Sequence, residues 1–411
     1  MPVEEGFVSI FNGKDLTGWK GLVEDPIARA KMTLEQMEKA QAKADELMYT
    51  NWKVENGMLV YIGRGYDNIC TVKQYGDIEM YIDWYLDPPS TNADGGIYLR
   101  GTPQVQIWDI GRANASVGSG GLFNNQIHPS KPLIAADNAK GEWNTFYIKM
   151  IGDRVTVYLN GELVTDNVIL ENYWDRKQAL FPIEQIEIQA HGTKVFHRNI
   201  YIKELKRPEP FTLSPEEKKE GYKILFDGTN MFEWTGNTVD YTIQDGTITL
   251  VPSKGSGGNL YTKNEYDDFI IRFDFTLTAG ANNGLGIRTP IEGDAAYAGM
   301  EIQILDNEDP IYQNLDPWQY HGSVYGIIPA KRGFLKPLGE WNTQEVIAQG
   351  DKIKVTLNGE VILDGNIREA SKNGTIDGKE HLGLFNKKGH IAFLGHGSAV
   401  KFRNIRIKEL K

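Results

Sequence analysis

The residues best placed to do chemistry lie on one alternating segment, residues 300–306. Successive side chains of a strand point to opposite faces of a sheet, so its apolar members are predicted to face a core and its polar members to face away. The outward set is Glu301, Gln303 and Leu305. A carboxylate beside an amide could exchange protons with a ligand and orient its hydroxyl groups. An ordinary solvated outer strand has the same pattern, and for an isolated Glu-x-Gln it is the stronger interpretation.

A second segment, residues 104–109, has the same alternation, with Gln104, Gln106 and Trp108 on its outward face. Gln104 holds the position of Glu301, and an amide neither gives nor takes a proton at neutral pH. Trp108 replaces Leu305 and offers an aromatic platform of the kind on which sugar rings stack. The sequence therefore predicts catalysis at residues 300–306 and binding at residues 104–109.

Two arginines follow glycine-rich segments that approach these strands, Arg100 and Arg288. A single arginine after a strand is usually a surface charge or an ion-pair partner. Because the arginine recurs at the same position of both copies, and because a guanidinium binds carboxylates and oxyanions well, we give a functional role the same weight as a structural one.

Histidines near the same strands are candidates for proton transfer, because an unperturbed imidazole titrates near neutral pH. His321 lies with Trp318 and Tyr325 in a loop that is predicted to wall the cleft. His191 and His396 hold matching positions, each ahead of the last strand of its copy. Any of these histidines could instead be bonded to backbone, and for the matched pair that structural role is slightly favoured.

These candidates occur twice because the chain is one module written twice. The segment RNIYIKEL at 198–205 returns as RNIRIKEL at 403–410, and GEWN at 141–144 returns at 339–342, displaced by 198 positions. A period of about 200 residues is too long for a solenoid and suits two whole domains. We predict a first module at 1–207, a proline-rich linker at 208–220 and a second module at 221–411.

The first copy carries an insertion. The offset between the copies is 215 at their openings, IFNG at 10–13 and LFDG at 225–228, but 189 at Gly57 and Gly246, a difference of 26 residues. Within this insertion, at about 24–50, Thr33 and Gln36 form a capping box, and apolar residues recur at helical spacing. We predict a surface helix from about Leu34 to Met48 that covers a face or an edge of the first module.

Most other segments alternate with period two, as at residues 77–84, 154–159, 269–275 and 352–357. Asn-Gly at 160–161 and at 358–359 separates two such runs, which is typical of a type I′ hairpin turn. Many short strands with almost no helical periodicity predict an all-β fold, with a two-sheet sandwich in each module.

Composition narrows the class of protein. A net charge of −11 without long charged runs argues against a nucleic acid or an anionic membrane as partner. Cys70 cannot form an intramolecular disulfide, since it is the one cysteine, and we expect it to be a buried structural thiol. The sequence also lacks a zinc-ligand spacing, a calcium loop, a phosphate-binding loop and a Gly-x-Ser-x-Gly motif. We expect a soluble protein, periplasmic or in the bacterial cell envelope if a signal was removed before residue 1 and otherwise cytoplasmic.

Several motifs in order resemble the 3-keto-disaccharide hydrolase family. They are FNGKDLTGW at 11–19, GIYLRG at 96–101, QVQIWD at 104–109, EIQILD at 301–306, both GEWN segments, and FLGHG at 393–397 followed by FRNI at 402–405. The resemblance covers both modules and implies two tandem concanavalin-like (laminarinase-like) jelly rolls. The first module differs, because Gln104 replaces the glutamate and no residue matches His321.

The resemblance implies cleavage of glycosides whose hexose is oxidised at C3. The ketone acidifies the C2 proton, a base removes it, the enediolate expels the C1 oxygen, and water adds to the glycal. Implied for this reaction are Glu301 or His321 for proton transfer, Arg288 for the oxyanion, and Gln303 and Asp306 for orienting hydroxyls. No cofactor is required, although a divalent cation could take the role of the arginine. Implied for binding are Gln303, Trp318, Tyr325, His396, Arg100, Gln104, Gln106, Trp108 and His191.

Two other functions remain open at this point. The sandwiches could hold a sugar without turnover, an interpretation that Gln104, Gln106 and Trp108 favour. A conventional laminarinase-like glycosidase ranks third, because no second strand carboxylate obviously pairs with Glu301. The sequence does not decide the sugar, the linkage or the oligomeric state.

Overall fold

The computed structural model describes residues 5–110, 118–251 and 258–410. The chain divides into two compact units, Met1–Arg207 and Pro208–Lys411, each of which is described by itself. Within the described residues, no helix is long and apolar enough to cross a membrane.

The first module is built from short strands and two helices of the insertion. Its strands are β1 (Val8–Ser9), β2 (Trp19–Gly21), β3 (Trp52–Glu55), β4 (Met58–Tyr61), β5 (Ile69–Tyr75), β6 (Ile78–Leu86), β7 (Asp94–Leu99), β8 (Thr102–Trp108), β9 (Asn144–Ile151), β10 (Arg154–Leu159), β11 (Glu162–Ile169), β12 (Glu184–Ile188) and β13 (Val195–Glu204). Its helices are α1 (Pro26–Arg29) and α2 (Leu34–Asn51).

Two antiparallel sheets form this module. The large sheet runs β11-β10-β9-β6-β13-β4-β3, with β1 also paired to β13, and the small sheet runs β2-β5-β12-β7-β8. Alternate side chains of both sheets, such as Ile97, Ile107, Phe146 and Ile148, are fully buried in one core. Period-two alternation therefore produces the predicted sandwich, because each strand gives one face to this core.

The second module repeats this arrangement. Its strands are β14 (Lys223–Phe226), β15 (Trp234–Gly236), β16 (Tyr241–Gln244), β17 (Thr247–Leu250), β18 (Asn259–Tyr266), β19 (Phe269–Leu277), β20 (Asn282–Thr289), β21 (Met300–Leu305), β22 (Asn342–Gln349), β23 (Lys352–Leu357), β24 (Glu360–Asn366), β25 (Gly389–Gly395) and β26 (Val400–Glu409). Its helices are α3 (Pro215–Glu220), α4 (Ala295–Ala298) and α5 (Ile367–Ala370), with 3-10 turns at Pro310–Tyr312 and Pro317–Gln319. The large sheet is β16-β17-β26-β19-β22-β23-β24, with β14 on β26, and the small sheet is β15-β18-β25-β20-β21.

The order of equivalent strands is the same in both modules, and the fold is all-β with two tandem jelly-roll sandwiches, as predicted. The type I′ hairpins are also as predicted, because both central residues have positive φ: 54° and 92° at Asn160 and Gly161, and 51° and 92° at Asn358 and Gly359.

The inserted helix α2 begins after the predicted capping box, in which Thr33 and Gln36 satisfy each other's backbone N–H groups. It runs along β2, the edge strand of the small sheet, where Asp45 accepts a hydrogen bond from the Gly21 N–H at 2.9 Å. A Cβ at Gly21 would lie 2.1 Å from the Ala44 carbonyl oxygen, so glycine is what permits this approach. The insertion therefore covers an edge of the sandwich.

The segment predicted as a linker, residues 208–220, contains helix α3 and lies within the second unit. Ser214 caps this helix, and Glu217 accepts hydrogen bonds from Arg406 at 2.8 Å and from Arg272 at 3.2 Å. These bonds attach α3 to the large sheet, so much of the segment is ordered structure rather than a free connection.

Candidate functional site

The outer face of the second small sheet carries the predicted carboxylate. On β21, Ile302 and Ile304 are fully buried in the core, while Glu301 and Gln303 point to the opposite face. Both polar side chains are only 4% exposed, because loops cover this face. An ordinary solvated outer strand is therefore excluded, and a shielded polar site takes its place.

Glycines on the neighbouring strand make room for the polar side chains. The side chain of Glu301 crosses β20 at Gly284, where a Cβ would lie 2.0 Å from Oε1 of Glu301. In the first module, a Cβ at Gly96 would lie 2.7 Å from Cδ of Gln104. The glycine-rich segments are thus explained by close approach of a side chain rather than by a turn.

His396 lies beside Glu301 in this site. Nε2 of His396 lies 3.7 Å from Oε1 of Glu301, and its side chain is 45% exposed. Glu301 raises the pKa of His396, with a smaller contribution from Asp294, against the opposing effect of burial. A distance of 3.7 Å is too long for a direct hydrogen bond, and Oε1 has no other hydrogen-bond partner among the described residues. Oε1 of Glu301 therefore remains available to hydrogen-bond to a third group beside the pair.

The loop after β21 brings two predicted residues to the same place. The backbone N–H of Tyr325 donates to the carbonyl oxygen of Glu301 at 2.9 Å, which fixes this loop along the edge strand. The ring of Trp318 packs edge-on against Tyr325 at 4.8 Å, and Gln319 donates to the Tyr325 hydroxyl at 3.3 Å. Burial raises the pKa of Tyr325, so the phenol is protonated at neutral pH. Tyr325 and Trp318 thus join Glu301 and His396.

A second group near this site was missed from the sequence. The ammonium of Lys379 donates to the hydroxyl of Tyr297 at 3.0 Å. The Tyr297 ring packs against His381 at 4.6 Å, and His381 forms a buried pair with Asp377, Nε2 to Oδ2, at 3.0 Å. A one-turn helix and a distant loop give no periodic signal in a single sequence, so only the fold brings this group to the site.

The structure does not bring His321 to this site. Its ring is 1% exposed, stacks on Phe275 of the large sheet at 5.2 Å, and accepts a hydrogen bond at Nδ1 from the Leu305 N–H at 3.4 Å. Burial lowers its pKa to about 4, although Gln344 beside it acts in the opposite direction. Ser119 accepts the equivalent bond from Trp108 N–H, at 2.9 Å, so the first module does have a counterpart. His321 is a core residue that secures a strand end.

The structure does not bring Arg288 or Arg100 to the candidate site either. Arg288 is 3% exposed and donates to the carbonyls of Asp267 at 2.9 Å and Gly350 at 2.8 Å, and to Oδ1 of Asp268 at 2.8 Å. No hydrogen bond or ion pair joins it to Glu301 among the residues that the structure describes.

Arg100 makes the same contacts in the first module, to the carbonyls of Gly76 and Phe181 and to Asp77 at 2.5 Å. Burial lowers its pKa to about 10, so it stays charged at neutral pH. Arg100 and Arg288 therefore recur because each connects turns of its module through hydrogen bonds.

Asp306 lies apart from Glu301. It follows Glu301 by five residues, which at the rise of a strand corresponds to a separation of about 16 Å. Its Oδ2 accepts from the Gly280 N–H at 3.0 Å and its Oδ1 from the Glu308 N–H at 3.4 Å, so it stabilises turns at the strand end. Gln303 does lie on the site face, where its amide donates to Asn282 at 2.9 Å. The structure thus brings Gln303, but not Asp306, to Glu301.

In the first module, the predicted binding residues other than Arg100 share one region of the small sheet. Gln104 donates to Gln106 at 2.5 Å, and the Trp108 ring stacks on Phe123 at 6.3 Å, which reduces its use as a free platform. Nδ1 of His191 lies 2.6 Å from Oδ1 of Asp94. The matched histidines therefore each face a carboxylate, but the carboxylates belong to different strands.

The sequence reasoning also missed Glu187 on β12, which is 1% exposed. The run Ile186, Glu187, Ile188, Gln189 alternates apolar and polar residues, the same pattern that identified β8 and β21. Applying that test to every strand would have found it.

No group of three His, Cys, Asp or Glu side chains that could hold a metal ion occurs within residues 5–110, 118–251 and 258–410. The divalent cation that the sequence analysis allowed in place of the arginine therefore has no evident cluster of ligands in these ranges.

Comparison with known proteins places the chain in a family. Two solved structures from Parabacteroides distasonis, both described as proposed glycosyl hydrolases, are similar to it. The first is 24% identical, and the match covers 49% of this chain and 100% of that structure's chain, with a TM-score of 0.44. The second is 28% identical, and the match covers 46% of this chain and 99% of that structure's chain, with a TM-score of 0.41. A 3-keto-disaccharide hydrolase of Bacteroides thetaiotaomicron is 27% identical over 252 residues, covering 51% of this chain and 86% of that protein. The family model described as 3-keto-alpha-glucoside-1,2-lyase-like domain matches residues 6–203 and again residues 221–408, and the chain therefore belongs to this family.

Proposed function

We propose that this protein is a carbohydrate-active hydrolase that cleaves 3-keto-glycosides at the Glu301 site of its second module. The observation that carries the proposal is the shielded carboxylate of Glu301 facing His396 at 3.7 Å. Family membership supports the substrate class, and the relative from Bacteroides thetaiotaomicron is named a 3-keto-disaccharide hydrolase.

The chemistry needs one base, one acid and a donor for an enolate oxygen. The base removes the C2 proton, and the electron pair of the C2–H bond forms the C2–C3 double bond of an enediolate with its charge on O3. Collapse of this enediolate breaks the bond from C1 to the glycosidic oxygen, which takes up a proton and leaves. Water then adds to C1 and a proton returns to C2, so that the net reaction is hydrolysis.

Glu301 is the proposed base, because its Oε1 is buried without a hydrogen-bond partner within the described residues and lies over a strand that glycine leaves bare. His396 is the proposed acid for the leaving oxygen. Its raised pKa favours the protonated form, and its partial exposure lets a leaving group depart to solvent.

The enolate oxygen needs a donor that is neutral or cationic. The phenol of Tyr325 and the Tyr297 hydroxyl held by Lys379 are proposed for this role, in place of Arg288. The Asp377–His381 pair positions Tyr297 through its ring. Gln303 and Trp318 are proposed to bind the sugar, through hydroxyl groups and ring contact.

A conventional glycosidase would require a second carboxyl about 5–10 Å from the first. Asp294 is the carboxyl that acts on His396 together with Glu301, but its Oδ1 accepts a hydrogen bond from Ala296 N–H at 3.1 Å and caps α4. Because this carboxyl already caps a helix, we rank the two-carboxylate mechanism below elimination. Binding without turnover is the second candidate function, favoured by the amide Gln104 in the first module.

The test compares 3-keto-trehalose with unoxidised trehalose as substrates of the full chain. We expect release of reducing sugar from the keto form alone. In D2O, elimination places deuterium at C2 of the product faster than exchange without enzyme, whereas direct attack at C1 does not. Cleavage of trehalose itself would instead support the glycosidase, and binding without turnover the lectin-like function.

Glu301→Gln assigns the site. We expect turnover to fall on the order of 10²- to 10⁴-fold, the usual contribution of a positioned acid or base. Glu360→Gln makes the same chemical change at an exposed hairpin of the same module and serves as the matched control. Full activity in Glu301→Gln would show that the working base lies elsewhere.

A further inference from the structure

The first module carries a polar cluster that the proposed reaction does not use. Glu187 of β12 lies opposite Tyr98 of β7 on one side and Cys70 of β5 on the other, on the outer face of the small sheet. Gln104 of β8 lies on the same face, beyond β7. Strands are about 4.8 Å apart, so Glu187 and Gln104 arise roughly 10 Å from each other, with Tyr98 of β7 between them.

Three side-chain oxygens of this cluster have no hydrogen-bond partner within the described residues. They are Oε2 of Glu187, Oε1 of Gln104 and Oε1 of Gln189. Glu187 is 1% exposed and Gln104 is 5% exposed, so bulk water does not satisfy these atoms. A buried polar atom without a hydrogen-bond partner costs about 1–3 kcal/mol, and three on one face are unusual for a region that only packs. A ligand with hydroxyl groups would supply the missing partners.

The groups around Glu187 leave it uncharged. Burial raises its pKa to about 8, Glu184 adds to this, and Arg29 of α1 and the hydrogen bond from Asn68 act against it. Tyr98 and Cys70, which also face it, are neutral, because burial raises the pKa of both. Lys20 of β2 is the further cation near Cys70. At neutral pH this carboxyl can therefore both donate and accept hydrogen bonds, which suits the hydroxyl groups of an uncharged ligand.

One end of the cluster opens to solvent. There, the His191 side chain is 46% exposed and held by Asp94, and the Tyr66 ring, 72% exposed, packs edge-on against it at 5.5 Å. The amide of Gln189 reaches the hydroxyl of Tyr98 at 3.4 Å, between this end and Glu187. An aromatic ring at the entrance and amides inside suit a ring with hydroxyl groups.

We propose that this face of the first module is a second binding site, built on Glu187, Gln189 and Gln104, for an uncharged glycoside. It differs from the Glu301 site because the carboxyl has moved to another strand. In the second module, Ala392 and Leu394 hold the positions of Glu187 and Gln189 and pack with Tyr261 and Ala295 in a small apolar cluster. The two modules therefore recognise sugars through different strands of the same sheet.

The test titrates methyl α-D-glucoside into the full chain and follows binding by calorimetry. This ligand has no ketone, so the proposed reaction cannot consume it. We expect saturable binding that weakens at least tenfold in Glu187→Leu and becomes insensitive to pH in Glu187→Gln, which keeps the size and one donor of the side chain. In the unchanged protein the affinity should fall as the pH rises through about 8. Glu162→Gln, at an exposed hairpin of the same module, is the matched control.

Ligand charge gives a second readout. Glucuronate and glucosamine should each bind at least tenfold more weakly than the neutral glucoside at pH 7. The proposal is overturned if wild-type protein shows no saturable binding, if both Glu187 variants bind normally, or if Glu301→Gln alone removes binding. Failure of the protein to turn over 3-keto-trehalose would refute the proposed function and leave this titration unaffected.

Discussion

Replacing Arg288 with methionine separates a structural role of this residue from a catalytic one. Methionine keeps most of the length and apolar stem of the side chain and removes every donor. The guanidinium is 3% exposed and donates to two main-chain carbonyls and one carboxylate, at 2.8–2.9 Å. These partners belong to turns that connect strands of the second module, so the change should loosen those turns.

The expected magnitude follows from these three bonds. A hydrogen bond to a charged group contributes about 1.5–3 kcal/mol. Asp268 is 31% exposed, so water can largely replace its hydrogen bond with Arg288. The two hydrogen bonds to carbonyls, each taken at the lower end of this range, give a loss in the free energy of unfolding of about 3 kcal/mol. For a module of this size, the unfolding midpoint should fall by about 6–12 °C.

The assay is calorimetric unfolding of the full chain, combined with kcat/KM for 3-keto-trehalose well below the transition. We expect the second module's transition to move, while kcat/KM per folded molecule stays within about threefold. Arg100→Met is the matched variant, and its loss in the first module should be larger because Asp77 is only 8% exposed. An unchanged midpoint together with a hundredfold fall in kcat would refute the structural role and restore Arg288 as an oxyanion donor.

Two further predictions concern pH and metal. Burial holds the pKa of His321 at about 4, below its value near 6.5 in the unfolded chain, so the unfolded chain binds the proton first as the pH falls. The free energy of unfolding should therefore decrease from pH 6.5 to pH 4, and His321→Ser, which copies Ser119, should flatten that slope in urea titrations without loss of turnover; an unchanged slope would contradict this. Because the proposed reaction uses only side chains of the chain, extensive dialysis against EDTA should leave kcat for 3-keto-trehalose within about twofold, and recovery of lost activity by one divalent cation would show the opposite.

The fold could be predicted because its signals are local and repeated. Period-two alternation, Asn-Gly turns and the capping box at Thr33 each act over a few residues, and the repeat supplies every strand twice. The segment before Gly221 was less predictable, because prolines suggest a linker while Ser214 and Glu217 make a helix cap in the same residues. The cap prevails because Glu217 also bonds to Arg272 and Arg406, which are distant in sequence.

The site could be predicted only where strand alternation determines it. Glu301, Gln303 and Gln104 were found because their side chains share a face with defined neighbours. His321 was misplaced because its loop folds inward, onto Phe275, and nothing in the sequence of a loop reports that direction. Tyr297 and Lys379 were missed because the short helix α4 and a loop far from it in sequence bring them together.

The recurring arginines and the residues that differ between the two modules lie in different parts of the sandwich. Arg100 and Arg288 recur because each ties together turns that the sandwich requires, and a sequence reader can mistake that recurrence for shared chemistry. Positions on the outer face of the small sheet carry no such requirement, because they do not pack in the core between the sheets. There the copies differ, with glutamate or glutamine on the edge strand and alanine or glutamate two strands away. In this tandem protein, the recurring arginines therefore mark what the fold needs, and the divergent positions on the outer face are those at which we propose that the two modules bind different ligands.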